Sequence, residues 1–153
     1  MSEDAQMKTQ IKIRPIHAND AELVAELVTQ LGYERTPEQV RHWVHELASR
    51  PEQACFVAEL NGEVVAWIDV SMANHLQSEV FGLIGGLVVR DGLRNAGIGR
   101  RLCEQAELWT RQQGAKKIRV TSRSTREAAH RFYLRDGYRQ SKISMVFEKA
   151  LEP

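Results

Sequence analysis

Apolar residues change their spacing several times along the chain, and each change marks an element. IKIRP (11–15) alternates as a strand does and stops at a proline. Leu23, Val24, Leu27, Val28 and Leu31 then recur at helical spacing. Asn19 or Asp20 stands where a cap is expected, and Gly32 stands at the end. Thr36-Pro37 opens a second helix as cap plus first-position proline, with Val40, Trp43, Val44 and Leu47 on one stripe. The period then drops to two. ACFVAEL and EVVAWIDVSM flank Asn61-Gly62, a pairing that predicts a tight hairpin.

VFGLIGGLVV (80–89) is too continuously apolar for a half-exposed strand, so it reads as a central one. From Gly97 or Ile98 to Gln113 the stripe Ile98, Leu102, Ala106, Trp109 predicts a helix closed by Gly114. KKIRVTS (116–122) is a further strand. Ser124-Thr125-Arg126-Glu127 has the form of a capping box opening a helix through Arg135, with Gly137 just beyond it. A strand or strand pair over about 138–149 closes the chain. The order β-α-α-β-β-β-α-β-α-β(-β) predicts an α/β fold with a mixed, mostly antiparallel central sheet flanked by helices.

With 153 residues and neither repeats nor low-complexity linkers, the chain reads as one domain over 10–153 behind a flexible tail, 1–9. A net charge of +1 argues against a protein that coats nucleic acid or an anionic membrane. No apolar run approaches the roughly 18 residues of a membrane span, and MSEDAQ lacks the features of a signal peptide, which points to the cytoplasm. Cys55 and Cys103 lie far apart in apolar patterns, as buried free thiols do, and no metal site is expected. Charge is uneven, however. Residues 90–139 hold thirteen Lys and Arg against five acids, a field suited to a small polyanion or to a solvated face.

That field centres on LRNAGIGRRL (93–102), where Gly97 and Gly99 follow the most apolar strand and run into a helix. A helix start offers unpaired N–H groups and the positive end of its dipole, an arrangement suited to phosphate. The glycines let a ligand approach the backbone, and Arg94 and Arg100 can add charged hydrogen bonds. A dinucleotide fingerprint starting at Gly97 needs glycine at 102, which is Leu102. A P-loop starting at Gly92 needs Lys and Ser or Thr after Gly97, where Ile98 and Gly99 stand.

Arg94-Asn95-Ala96-Gly97-Ile98-Gly99, preceded by Leu87-Val88-Val89, resembles the acyl-CoA loop of the GCN5-related N-acetyltransferase (GNAT) superfamily. Ala128-Ala129-His130-Arg131-Phe132-Tyr133 through Gly137-Tyr138 resembles that family's second signature, and the element order agrees. The C-terminal part is similar to that of aminoalkylphosphonate N-acetyltransferases.

The resemblance implies a single-domain GNAT fold and direct transfer of acetyl from acetyl-CoA to a primary amine of a small molecule. It implies that the backbone of Leu87, Val88 and Val89 holds the pantetheine arm and that Asn95, Ala96, Gly97, Ile98, Gly99 and Arg100 hold the pyrophosphate. Arg94, Arg126, His130 and Arg135 are the further candidates for the cofactor. Tyr133 matches the tyrosine that faces the sulfur, which makes it the general acid as well as a cofactor contact. Many members carry a Glu on the central strand three residues before its Val, but Gly85 or Gly86 stands there. Glu79, His75 and Asp69 are the nearest titratable groups, with Glu79 the first choice for the base and a water relay the alternative. Tyr33, Asp69 and His75 are the candidates for the substrate wall. Two other readings stay open: a catalytically weak acetyl-CoA-binding regulatory module and a protein or peptide amine acetyltransferase. The sheet edge and C-terminal strand leave room for a homodimer.

Overall fold

The computed structural model describes residues 10–94, 96–123 and 125–152, so the tail 1–9, Asn95 and Ser124 lie outside the described residues. The chain divides into two compact units, one ending at Val120 and one starting at Thr121.

The first unit is a five-stranded sheet in the order β1-β2-β3-β4-β5. Its strands are β1 (Ile11–Pro15), β2 (Gln53–Leu60), β3 (Glu63–Ala73), β4 (Phe81–Val89) and β5 (Ile118–Val120). The first four are antiparallel, and β5 runs parallel to β4. Asn61 and Gly62 both take positive φ (53° and 81°) and turn β2 into β3, as the Asn-Gly pair predicts. Helices α1 (Ala21–Leu31) and α2 (Pro37–Leu47) precede β2, and α3 (Ile98–Gln112) joins β4 to β5.

Each helix carries its own end signals. Gly32, at φ 104°, closes α1 by donating to the Thr29 and Val28 carbonyls. Thr36 and Gln39 form the capping box of α2, with Pro37 in its first turn. The expected cap of α1 is built differently. Asp20 occupies the cap position without a side-chain cap bond. Its carboxylate instead accepts both Arg14 Nη atoms at 2.8 Å and the His17 N–H at 2.7 Å. A bidentate guanidinium is the stronger partner, and it ties the end of β1 to the start of α1.

Two apolar layers sandwich the sheet. Val24, Ala25 and Leu27 of α1 and Val40 of α2 pack on Cys55, Val57, Trp67 and Val88. On α3, Ile98, Leu102, Cys103 and Ala106 are buried, and each large apolar side chain so removed from water contributes about 1.5–3 kcal/mol. Both cysteines are buried free thiols.

The second unit holds α4 (Glu127–Arg135). Its cap residue is Arg126, with no side-chain cap bond, and Gly137 turns the chain at φ 91°. The expected closing strand does not form: described residues 138–152 carry no helix or strand. Ile143, Met145, Val146 and Phe147 stand 77–84% exposed instead.

Candidate active site

β4 is two strands in one. Residues 82–84 pair with β3 on one side and with β5, Ile118–Val120, on the other. Residues 85–89 pair with β3 alone among the described residues. At the junction the β3–β4 register slips. Asp69 lies opposite Gly86 and Val70 opposite Ile84, so Gly85 is the extra residue of a β-bulge. The expected central strand is therefore buried at its start and opens midway, where Gly85 is exposed.

The ladder sets which groups face the open edge. The Arg90 N–H donates to the Val65 carbonyl at 2.8 Å. By antiparallel alternation, Val88 also turns its backbone groups to β3, while Leu87 and Val89 turn theirs to the opposite edge. One of these is already used. The Val89 carbonyl accepts Gln30 Nε2 at 2.8 Å, and Gln30 Oε1 accepts the Asp91 N–H at 3.0 Å. Gln30 of α1 thus fixes the strand as it leaves for the glycine loop. It has no motif, and only the fold reveals it.

The loop delivers the chain to α3 through Gly97, whose φ of 80° suits glycine and would strain other residues. No side chain caps this helix start. Ile98 is fully buried and anchors the first turn, so only its backbone can serve a ligand. The four arginines divide. Arg101 donates to the Ile11 carbonyl at 2.9 Å and Arg90 sits 3.3 Å from both Glu63 and the Val64 carbonyl, so both tie the framework together. Arg94 pairs with Asp91 at 2.6 Å and Arg100 with Glu104 at 3.2 Å, both at the surface. Such exposed pairs are worth about 1 kcal/mol or less, and a phosphate can displace them.

Of the titratable candidates, Asp69 lies at the opening. A Cβ on Gly85 would fall on its carboxylate, and one on Gly86 would stand 2.7 Å from the Trp67 ring. The two glycines therefore clear a place on β4 that β3 fills. Burial pushes the Asp69 pKa up to about 6, against the opposing pull of the Gly85 N–H that donates to it. Cys55, across from Asp69 on β2, has its thiol pushed up by burial first and by the carboxylate second.

His75 and Glu79 lie in the exposed loop 74–80, beyond the Ala73–Phe81 end of the ladder. The His75 ring sits 5.9 Å from that of Phe81, over which Arg119 stacks at 4.3 Å. Tyr33 is 56% exposed between α1 and α2. In the second unit, Tyr133 is half-buried, with ring centroids 5.1 Å from Phe132 and 5.6 Å from Tyr138. The Tyr138 N–H donates to the Tyr133 carbonyl at 3.0 Å, which folds the turn onto the ring. His130 Nε2 lies 2.8 Å from the Arg123 carbonyl, and Arg126 and Arg135 are exposed.

A bulged, half-open strand feeding a glycine turn and an uncapped helix is found here together with a sequence match. The profile of the acetyltransferase (GNAT) family matches residues 21–138. The chain belongs to this acetyltransferase family. Aminoalkylphosphonate N-acetyltransferase of Salmonella typhimurium is 44% identical over 92 residues, 60% of this chain and 58% of that relative. The chain thus spans under two thirds of that relative's length. Aminoglycoside N(6')-acetyltransferase type 1 of Stenotrophomonas maltophilia is 28% identical over 107 residues, 67% of this chain and 70% of that protein. Among solved structures, the aminoglycoside N-acetyltransferase AAC(6')-Iy in complex with CoA has the same fold. It superposes at a TM-score of 0.80 with 17% identity, over 91% of this chain and 94% of that one. No helix among the described residues is long and apolar enough to cross a membrane.

Proposed function

We propose that this chain is an acetyl-CoA-dependent N-acetyltransferase acting on a primary amine of a small molecule. The carrying observation is the second half of β4, where an inner strand of the sheet keeps one edge without a strand partner among the described residues. An extended amide chain such as pantetheine adds to such an edge as a strand would, through the outward groups of Leu87 and the Val89 N–H. The strand then leads into Ala96, whose N–H donates to the Leu93 carbonyl at 3.3 Å, and into Gly97, Gly99 and Arg100, whose backbone N–H groups at the helix start suit a pyrophosphate. Asn95, from the same motif, belongs to this reading. Arg94 contributes charge from the loop. Arg126, His130 and Arg135 are assigned to the cofactor on the second signature, and Tyr133 protonates the departing thiolate.

The acceptor class we assign is a small aminoalkyl acid, supported by the 44% identity to an aminoalkylphosphonate N-acetyltransferase. A homodimer is part of the same reading. It is supported by the exposed Ile143, Met145, Val146 and Phe147 in a segment that alternates as a strand. Thiol release from acetyl-CoA tests the activity against aminoalkylphosphonates, aminoglycosides, amino acids, polyamines and lysine peptides. Saturable release with one class of small amine is expected. Binding of CoA without release across the panel, or release with peptides alone, overturns the reading.

A further inference from the structure

The reaction assigned above leaves one proton without an acceptor. A primary alkylamine is mostly ammonium at neutral pH, since its pKa lies near 10, and only the free amine attacks a carbonyl. β4 offers no carboxylate, because Gly85 and Gly86 occupy the bulge.

The geometry points to Asp69 of β3 as the general base that takes this proton. Its carboxylate occupies the space that a side chain at Gly85 would need and lies within van der Waals reach of one at Gly86, at the point where β4 parts from β5. It is only partly buried, beside Gly85, which is exposed. One oxygen is steadied by the Gly85 N–H, which leaves the group further lone pairs. The glycines read as a departure in the sequence thus admit a carboxylate from the neighbouring strand.

The surroundings suit the role. Burial raises the pKa to about 6, which makes the carboxylate a stronger base than an exposed Asp while leaving it mostly ionised at pH 7.5. From β2 the titratable neighbour is Cys55, held neutral by a raised pKa, and β4 presents only glycines. Beyond Cys55, the carboxylate of Asp20 is engaged by Arg14. His75 and Glu79 lie past the far end of the ladder. The step balances as follows. Asp69 takes one ammonium proton and later returns it to solvent. The nitrogen lone pair forms the C–N bond, the C–S bond breaks, and the second nitrogen proton replaces the one that Tyr133 gives the thiolate.

This inference rests on the proposed acetyl transfer, and the test separates the two. Wild-type and Asp69→Asn proteins are assayed with the best amine of the panel from pH 5.5 to 9.5, and CoA affinity is measured by calorimetry. The Asn side chain keeps an acceptor for the Gly85 N–H. We expect kcat/KM at pH 7.5 to fall about 100-fold or more, within the range of general base removal, with CoA affinity within about twofold. The wild-type acidic limb near pH 6 should vanish in the variant, whose remaining rate should climb with pH as free amine accumulates. Equal activity and equal pH profiles overturn the role of Asp69 and leave the transferase reading intact. A wild type that binds CoA but acetylates nothing overturns the reading itself. If Asp69→Asn does not fold, the wild-type profile decides: a kcat/KM with no acidic limb between pH 5.5 and 7 overturns the role.

Discussion

Residues 81–84 and 85–89 of β4 are built from nearly the same residue types and end in different environments. In the first half Phe81 and Ile84 are buried and strands lie on both sides. Gly82 is there because α3 is close: a Cβ would collide with the Thr110 side chain. In the second half two glycines face β3, where they leave room for a carboxylate and an indole. One glycine serves packing and two serve the opening. Composition alone does not distinguish them; the bulge between them does.

Substitutions that exchange these roles test the contrast, and the largest effect lies outside the strand. Tyr133→Phe should lower kcat about 100-fold while acetyl-CoA binding, followed by calorimetry, stays within about twofold of wild type. An unchanged kcat removes Tyr133 from the chemistry. Within β4, Gly85→Val should cut kcat/KM for the amine by tenfold or more, because its Cβ displaces the Asp69 carboxylate. Gly82→Val should instead act on stability, lowering the free energy of unfolding by about 1–3 kcal/mol through overpacking against Thr110. Denaturant titration and steady-state kinetics on both variants separate the two outcomes. Equal loss of stability in the two would erase the contrast between the halves.

Asp69 yields a stability prediction of unusual sign. A carboxyl whose folded pKa is raised to about 6 carries no penalty below its unfolded pKa, where both states are protonated. The folded state loses stability as pH rises through about 6. Asp69→Asn should therefore raise the unfolding free energy at pH 8 by roughly 1–3 kcal/mol, discounted for partial exposure, and change it little at pH 4. Thermal melts at the two pH values check this, and a variant less stable at pH 8 contradicts it. The smallest effect is expected at the loop. Arg94→Gln should raise KM for acetyl-CoA about three- to tenfold with kcat unchanged, since an exposed guanidinium adds charge but not geometry.

Periodicity carried most of the fold. Helical stripes, Gly32, Thr36-Pro37 and Asn61-Gly62 are local signals, and local backbone physics decides them. The glycine loop was also legible, because a positive φ at Gly97 and a phosphate-accessible backbone leave few residue choices. What escaped depends on register. Nothing within VFGLIGGLVV says that its second half lacks a strand on one side. The proximity of Asp69 to Gly85 arises only when two strands slip by one residue. Gln30, Arg90 and Arg101 look like surface residues until the fold brings them to backbone carbonyls many positions away. The segment 138–149 shows the converse: a strand pattern is present, and no strand forms among the described residues.

The central claim is that acetyl-CoA lies along the open half of β4. Amide hydrogen exchange of the wild-type protein, with and without acetyl-CoA, tests it residue by residue. Exchange at Leu87, Val89 and residues 96–100 should slow about tenfold or more at saturating acetyl-CoA, while residues 82–84, already paired on both sides, stay unchanged. Saturable binding that leaves Leu87 and Val89 exchanging at their free rates would contradict the account.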